Sequence, residues 1–244
     1  MEPPKRLIVA LDLPDVTLAE NLVSELGEFV SFYKIGLSLI PIGGFSLIKK
    51  LKKDGKKVFL DLKLFDIAST VENTVKNLSH LGIDFLTVHG DPYVIRAALK
   101  GKQDCNLKIL AVTFLTNVDR VDLDSALIQS GKLDDLVVKR AQKAFTEGAD
   151  GVIASANECL KIRSLKESYG KLIVTPGIRR VSSLENDDQK RVCTPEAAIS
   201  NGSDFIVMGR PIHQSPKPRE KVVEILREIE RIKDNPKLSC GHTD

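Results

Sequence analysis

The sequence predicts an α/β protein with the (β/α)8 TIM-barrel fold, formed as a single domain by residues 1–244. Short apolar runs alternate with longer amphipathic stretches along the whole chain, and no linker interrupts them. Strands that alternate with helices form parallel sheets. Eight such units within 244 residues match the usual length of a barrel in which each strand is followed by a helix.

The predicted strands are short apolar runs rich in β-branched and aromatic residues, bounded by polar or turn-forming residues. They are Leu7–Asp12, Phe32–Gly36, Lys57–Lys63, Phe85–His89, Lys108–Thr113, Gly151–Ser155, Leu172–Thr175 and Phe205–Gly209. An open, doubly wound sheet is the alternative architecture. Its glycine-rich dinucleotide turn is missing after the first strand, where the chain reads Ala10-Leu11-Asp12-Leu13-Pro14.

The predicted helices have apolar residues at helical spacing. They are Thr17–Leu26, Phe45–Lys53, Ser69–Leu81, Pro92–Lys100, Leu133–Glu147, Asn157–Ser168, Pro195–Asn201 and about Pro218–Lys233. Three of them are followed by similar phrases, in which Gly82, Gly148 or Gly202 precedes the next strand. A glycine there suits a left-handed helix C-cap, so the recurrence supports a repeated helix-to-strand unit.

Composition and charge argue against nucleic-acid and membrane partners. The chain has 36 basic and 33 acidic residues, a formal net charge of +3, and no Trp. This balance is too mild for binding to polyanions, few aromatic side chains are available to stack on bases, and no apolar run approaches a membrane span. Composition alone therefore predicts neither kind of partner.

The four cysteines predict a cytoplasmic protein with free thiols. Cys105, Cys159, Cys193 and Cys240 form no CxxC pair and have no zinc-ligand spacing, and no signal peptide is evident. The residues from about 234 to 244 are polar and predict a frayed tail.

The third predicted strand carries the most informative cluster of the chain, Asp61-Leu62-Lys63-Leu64-Phe65-Asp66. Because alternate side chains of a strand share a face, Phe59, Asp61 and Lys63 are predicted to point one way, and the apolar residues between them the other. Two charges on the inner face of a buried strand are costly unless they are paired. The cluster therefore indicates a functional site.

Further charged residues end other predicted strands. In this fold the active site lies at the carboxyl ends of the strands. Asp12 ends the first strand, Lys34 lies near the end of the second, and Arg210 follows the eighth. Strand ends are often polar for no functional reason, and this simpler interpretation stays open for Asp12 alone. It accounts poorly for Lys34, Asp61 and Lys63 together, because inward-facing lysines are rarely placed without a partner.

The loops after the seventh and eighth strands predict a phosphate site. They contain Pro176-Gly177-Ile178-Arg179-Arg180 and Gly209-Arg210-Pro211. Barrels commonly bind phosphate at these loops, where glycine lets backbone N–H groups approach an anion and arginine adds paired donors. The long polar segment Arg179–Arg191 is a candidate lid, and Leu115–Lys132 is a second segment that could close over a ligand.

Histidines and metal ligands contribute little to this interpretation. His89 ends the fourth strand, where a hydrogen-bonded structural role is favoured over a catalytic one. His213 is expected in a loop. No His, Asp and Glu cluster has convincing metal-ligand spacing, so the residues alone predict no metal site.

These motifs resemble the orotidine 5'-phosphate decarboxylase family, in its bacterial form, from about Leu7 to Ser215. The resemblance rests on Asp61–Ile67 with Thr70, Val9–Asp12, Tyr33–Gly36, Val112–Thr116, Val174–Arg179, Asp188–Arg191 and Met208–Pro211. It departs at Phe65 and Ala68, where bacterial relatives often carry His and Pro. Neither position is charged in the predicted site, so we expect little change in chemistry.

The resemblance implies a lyase that needs neither a metal nor an organic cofactor and that forms uridine 5'-phosphate in pyrimidine biosynthesis. Lys63 would donate a proton to C6 of the pyrimidine after CO2 leaves, and Asp61 would lie near the departing carboxylate. Lys34 would join both in one charged network with Asp66. The family's pattern further implies a homodimer in which Asp66, Ile67 and Thr70 reach the partner's site.

The same resemblance implies the residues that hold the rest of the substrate. Asp12 would contact the ribose, and Thr116 would contact the pyrimidine. The phosphate would be held by Arg179, Gln189, Gly209 and Arg210.

Two alternatives are weighed. A metal-dependent sugar-phosphate decarboxylase or aldolase of the same suprafamily shares the Asp-x-Lys-x-x-Asp pattern. Such enzymes resemble one another in an acidic residue where this chain has Lys34, and a protonated lysine cannot ligate a metal. A non-catalytic phosphate-ligand binder on the same barrel is the other alternative. It would have no need of Asp61, Lys63 and Asp66 together.

Overall fold

Eight parallel strands close into a barrel in the computed structural model, which describes residues 6–103, 105–179 and 193–234. The strand order around the barrel follows the chain, and the last strand pairs with the first. The strands are β1 (Leu7–Ala10), β2 (Phe32–Gly36), β3 (Lys57–Leu64), β4 (Phe85–His89), β5 (Lys108–Val112), β6 (Gly151–Ile153), β7 (Leu172–Thr175) and β8 (Phe205–Met208). The predicted barrel fold is confirmed.

Helices connect the strands and cover the outside of the barrel. They are α1 (Val16–Leu26), α2 (Gly44–Lys53), α3 (Ala68–Ser79), α4 (Pro92–Lys102), α5 (Arg120–Ser125), α6 (Leu133–Thr146), α7 (Cys159–Arg163), α8 (Pro195–Ser200), α9 (Arg210–His213) and α10 (Pro218–Asp234). Short 3-10 turns cover Gly27–Phe29, Leu37–Ile42 and Lys166–Ser168. The three glycines of the repeated phrases have φ of 67°, 97° and 100°, as the predicted left-handed caps require.

The period-two pattern of the strands separates the core into two apolar layers. The inner cluster fills the barrel and includes Ile8, Phe32, Phe59, Phe85 and Val207. The outer cluster lies between strands and helices and takes the alternate strand residues, such as Val58 and Leu60. Inside the barrel the rings of Phe32 and Phe85 meet edge to face, with centroids 4.9 Å apart. This packing closes the interior beneath the carboxyl ends of the strands.

Two predicted segments differ from the structure. The single helix expected over Asn157–Ser168 is instead α7 followed by a 3-10 turn. Ser168 ends this region by donating its hydroxyl to the carbonyls of Arg163 and Leu165, which competes with helix continuation. The segment Leu115–Lys132, in which no helix was predicted, contains α5.

Helix α5 begins with a capping box that the sequence analysis overlooked. The Asp119 carboxylate accepts the N–H of Asp122, and the Asp122 carboxylate accepts the N–H of Asp119. Arg120 then donates to the carbonyls of Ile128, Gln129 and Gly131, which ties the following turn to the helix. This segment, which follows β5, is therefore held by local hydrogen bonds.

The remaining expectations concern membranes and cysteines. In the part of the chain that is described, no helix is long and apolar enough to cross a membrane. Cys105, Cys159 and Cys193 carry free thiols. Cys240 and the predicted polar tail after residue 234 lie outside the described residues.

Candidate active site

A cavity of about 500 Å³ opens at the carboxyl ends of the barrel strands. Its lining brings together residues from distant parts of the chain, because the closed barrel places all strand ends on one rim. Of the predicted site residues, it contains Asp12, Lys34, Asp61, Lys63, Thr116, Arg179, Gly209 and Arg210. Phe59 and Val207 from the inner apolar cluster form part of the cavity wall.

Four of these side chains form a line of alternating charge along β1, β2 and β3. Lys34 Nζ lies 2.9 Å from Asp12 Oδ1 and 3.4 Å from Asp61 Oδ2. Lys63 Nζ donates to Asp61 Oδ1 at 2.8 Å. Asp61 is therefore held between two ammonium groups, and each lysine has a carboxylate partner. Pairing of this kind offsets the cost of burying the charges.

The opposite charges around Lys34 and Asp61, the two middle residues of this line, keep both of them charged. Burial alone would lower the pKa of Lys34, but the carboxylates of Asp61 and Asp12 outweigh burial and raise that pKa above its usual value. Burial alone would raise the pKa of Asp61, but the ammonium groups of Lys34 and Lys63 outweigh it and lower that pKa. Asp61 is therefore ionised and Lys34 protonated throughout the neutral pH range. A protonated lysine is a poor Schiff-base nucleophile.

Lys63 has an unusual backbone for a strand residue. Its φ is 49°, in the left-handed region, which costs a residue other than glycine roughly 1–3 kcal/mol. The pairing of β3 with β4 is irregular between Leu60 and Leu64. Local irregularity at a sheet's active-site edge is a common means of aiming a side chain. Here it places the Lys63 ammonium in the cavity, beside Asp61.

A second group of charged cavity residues, Arg179 and Arg210, follows β7 and β8. Arg179 is buried, with its backbone N–H donating to the Cys193 carbonyl at 2.9 Å and its Nη1 donating to the Ile178 carbonyl. Arg210 begins α9, directly after Gly209. Because β8 pairs with β1, the arginine group adjoins Asp12 around the rim. A Cβ at Gly209 would lie 3.3 Å from the Ala10 Cβ, so the close packing of this turn favours glycine.

His213 is a cavity residue that the sequence analysis missed. It lies at the end of α9, three residues after Arg210, and not in a loop as expected. Burial lowers its pKa, Arg210 and Arg179 lower it further, and Asp12 opposes them. His213 is therefore mainly neutral at pH 7. Helical spacing from Arg210 was the available signal, but a four-residue helix is too short to give a periodic pattern.

Three predicted site residues lie outside the cavity. Asp66, Ile67 and Thr70 are exposed at the start of α3, and the Asp66 carboxylate accepts the N–H of Ile67 at 2.7 Å. Ile67 is 67% exposed and the neighbouring Phe65 is 60% exposed. The single chain therefore does not bring these residues to its own charged network. Gln189 and the remainder of the candidate lid after Arg179, up to residue 192, lie outside the described residues.

The described residues offer no set of side chains that could bind a metal ion. Within the described ranges, no group of three His, Cys, Asp or Glu side chains could hold a metal ion. Between Asp12 and Asp61 lies the Lys34 ammonium, which donates hydrogen bonds and cannot coordinate a cation. His89 is hydrogen-bonded to Asp91, its ring contacts that of Phe65 at a tilted angle, and it does not line the cavity, so its structural role stays a prediction.

Comparison with known proteins gives a consistent assignment. A family model described as "Orotidine 5'-phosphate decarboxylase / HUMPS family" matches residues 5–225. The chain is 54% identical to an orotidine 5'-phosphate decarboxylase from Ruegeria pomeroyi, over 92% of this chain and 93% of the relative. It is 52% identical to the enzyme of the same name from Jannaschia sp., over 92% of this chain and 98% of the relative.

The barrel also resembles solved structures. The crystal structure of orotidine 5'-phosphate decarboxylase from Lactobacillus acidophilus superimposes with a TM-score of 0.79 at 36% identity, covering 91% of this chain and 98% of that one. An uncharacterized conserved protein from Geobacillus kaustophilus gives a TM-score of 0.78 at 31% identity, covering 91% and 99% of the two chains.

Proposed function

We propose, from the premise that this chain belongs to the orotidine 5'-phosphate decarboxylase / HUMPS family, that Lys63 is the proton donor of its reaction and Asp61 the residue facing the departing carboxylate. The protein is a carboxy-lyase of pyrimidine biosynthesis, which converts orotidine 5'-phosphate to uridine 5'-phosphate. The bond from C6 to the carboxylate breaks, CO2 leaves, and the electron pair stays on C6. A proton from the Lys63 ammonium then forms the new C–H bond, and solvent reprotonates the amine.

The observation that carries this proposal is the placement of Lys63 and Asp61 at the wall of the cavity. The two charged groups lie 2.8 Å apart, and both line the cavity together with Phe59 and Ile153. An ammonium beside the reacting carbon stabilises the developing carbanion before it donates its proton. Asp61 accepts a hydrogen bond from that ammonium and holds it in place. The Lys34 ammonium, 3.4 Å away, holds Asp61 in turn.

Other residues of the cavity are proposed to bind the rest of the substrate. Asp12, half exposed and bonded to Lys34, is proposed to bind the ribose hydroxyls. Arg179, Arg210 and the backbone at Gly209 are proposed to hold the phosphate, with Gln189 joining them. Thr116, from the segment after β5, is proposed to contact the pyrimidine. Phosphate and reacting carbon would thus lie at separate ends of one ligand.

The protein is further proposed to be a cytoplasmic homodimer whose sites are completed across the interface. Asp66, Ile67 and Thr70 are exposed on α3 and the loop before it. Phe65 adds an exposed ring, which contacts the His89 ring at a tilted angle and has its centroid 6.4 Å from that of Tyr93. An exposed apolar surface of this kind indicates a protein interface. In a symmetric pair, Asp66 would enter the partner's cavity beside Lys63 and extend the alternating charges.

Mixed dimers test this arrangement. Lys63→Ala and Asp66→Ala proteins are each expected to be inactive. If Asp66 acts in the partner's site, one site of the mixed dimer has both native residues. Unfolding the two variants together and refolding them at equal amounts is then expected to restore about a quarter of wild-type activity by random pairing. Recovery no greater than the sum of the separate variants would contradict a shared site.

Removal of metal ions tests the proposed chemistry against the metal-dependent alternative. Enzyme dialysed against EDTA is expected to keep its rate within about twofold, because Lys34 occupies the position between the carboxylates and supplies charge without a metal. The measurement follows the loss of the orotidine 5'-phosphate absorbance in metal-free buffer. A rate that collapses in EDTA and returns with added Mg²⁺ would show the metal-free mechanism to be wrong.

A further inference from the structure

Thr87 is a buried hydroxyl beneath the charged network, and it was not among the predicted site residues. It lies on β4 between Leu86 and Val88 and is completely inaccessible to solvent. Phe85, two residues earlier, packs in the inner cluster, so Thr87 shares the face that points into the barrel. It does not line the cavity itself. A buried hydroxyl in this position needs hydrogen-bond partners.

Those partners are the two residues at the centre of the proposed reaction. The Thr87 Oγ1 donates to Asp61 Oδ1 at 2.8 Å and accepts the backbone N–H of Lys63 at 3.0 Å. Asp61 Oδ1 is the same oxygen that accepts from the Lys63 ammonium. One hydroxyl therefore connects the backbone of Lys63 to the carboxylate that binds its side chain.

The irregular pairing of β3 explains why a side chain is needed there. From Leu60 to Leu64, β3 advances by four residues while β4 advances by two, from Leu86 to Val88. The extra residues leave the regular ladder, and the Lys63 N–H finds its acceptor in the Thr87 side chain. The same stretch includes the positive φ of Lys63. Strained backbone persists where surrounding contacts hold it, and the Thr87 hydroxyl is such a contact.

We propose that Thr87 is a positioning residue, whose hydroxyl fixes the distorted backbone of Lys63 and the carboxylate of Asp61 in the geometry that proton transfer requires. A hydroxyl can accept from one group and donate to another, which valine, of the same shape, cannot do. The inference rests on the proposed roles of Lys63 and Asp61. It adds that their alignment depends on a residue that touches no substrate.

The test compares Thr87→Val with Thr87→Ser. In Thr87→Val, kcat is expected to fall about 10- to 100-fold, because a small misplacement of a reacting group has effects of that size. The Kd of uridine 5'-phosphate should stay within about threefold, since ribose and phosphate contacts are untouched. In Thr87→Ser the hydroxyl is retained, and kcat should stay within about threefold of wild type.

A matched control separates positioning from loss of stability. Thr175 is also a fully buried strand threonine, but its hydroxyl contacts Ser203 at 2.5 Å, outside the cavity. Thr175→Val is expected to lower the melting temperature by a similar amount and to leave kcat within about twofold. If Thr87→Val fails to fold, Thr87→Cys, with a weakly bonding thiol of similar size, is expected to show an intermediate loss of kcat.

Three results would overturn the inference. They are a folded Thr87→Val protein with wild-type kcat, equal losses in Thr87→Ser and Thr87→Val, and equal losses of kcat in Thr87→Val and Thr175→Val. Lys63→Ala, assayed in parallel, separates a failure of the role proposed for Thr87 from a failure of Lys63 as the proposed proton donor. If Lys63→Ala is inactive while Thr87→Val is normal, only the role of Thr87 fails. If Lys63→Ala turns over normally, the proposed proton donor itself is wrong.

Discussion

Replacing Lys63 by alanine is expected to lower kcat by about 10³-fold or more while leaving nucleotide binding largely intact. The ammonium is the group nearest the reacting carbon in the proposed complex, and it both stabilises the carbanion and supplies the proton. Asp61 keeps Lys34 as a partner at 3.4 Å after the substitution, so the carboxylate is not left without a counter-charge. The loss is therefore expected in the chemical step rather than in folding.

Two measurements on Lys63→Ala check this expectation. Single-turnover decarboxylation reports the chemical step, and the Kd of uridine 5'-phosphate is expected to change by less than about tenfold, because the arginine contacts remain. Lys57→Ala is the matched control, since Lys57 begins the same strand but is exposed at its far end. It should retain wild-type rates. Turnover of Lys63→Ala above a tenth of wild type would assign the proton to another donor.

The sequence predicted the fold well because the barrel repeats one local unit. Alternation of apolar runs and amphipathic stretches identified all eight strands, and glycine caps marked three of the helix-to-strand turns. The elements it missed are short. Helix α9 has four residues and α5 has six, so neither spans enough turns for a periodic pattern to emerge.

The site was predictable where a single strand or loop determines it. Strand alternation placed Phe59 and Asp61 on the inner face, and the rule for loops after the last two strands placed Arg179 and Arg210 in the cavity. Thr87 could not be found in this way. A lone threonine in an apolar strand is an ordinary strand former, and its importance comes from the irregular pairing with the neighbouring strand.

The role of Asp66 was hard to predict from the sequence for a different reason. Its carboxylate is exposed and bonds its own neighbouring backbone in the single chain, so neither strand period nor the cavity lining assigns it to chemistry. The charged cluster of the sequence included Asp66, but only the motif resemblance gave it a specific role, and the proposed role needs a second subunit. The local pattern of one chain can mark such a charge as unusual, but it does not say which subunit's site the charge would serve.

Removal of the substrate phosphate is expected to slow turnover as well as weaken binding. Orotidine, compared with its 5'-phosphate, should have a kcat at saturation lower by about 10²-fold or more, because binding energy at a remote group is used to stabilise the transition state. The cavity supports this expectation structurally. Arg179 and Arg210 follow β7 and β8, whereas Lys63 lies at the end of β3, so the proposed phosphate contacts lie on other strands of the rim than the proposed proton donor.

Arg210→Ala tests the same expectation by changing the protein instead of the substrate. It should lower kcat/KM for the phosphorylated substrate by about 10- to 100-fold, the usual contribution of charge-assisted hydrogen bonds. The same variant should leave the slow reaction of orotidine nearly unchanged, because orotidine lacks the phosphate that Arg210 is proposed to bind. Arg219→Ala is the matched control, since Arg219 lies on α10 against the ring of Phe29, away from the cavity. Equal losses on both substrates would mean that Arg210 supports the fold of the rim rather than the phosphate. Equal saturating rates for orotidine and its phosphate would remove the proposed coupling between the two ends of the ligand.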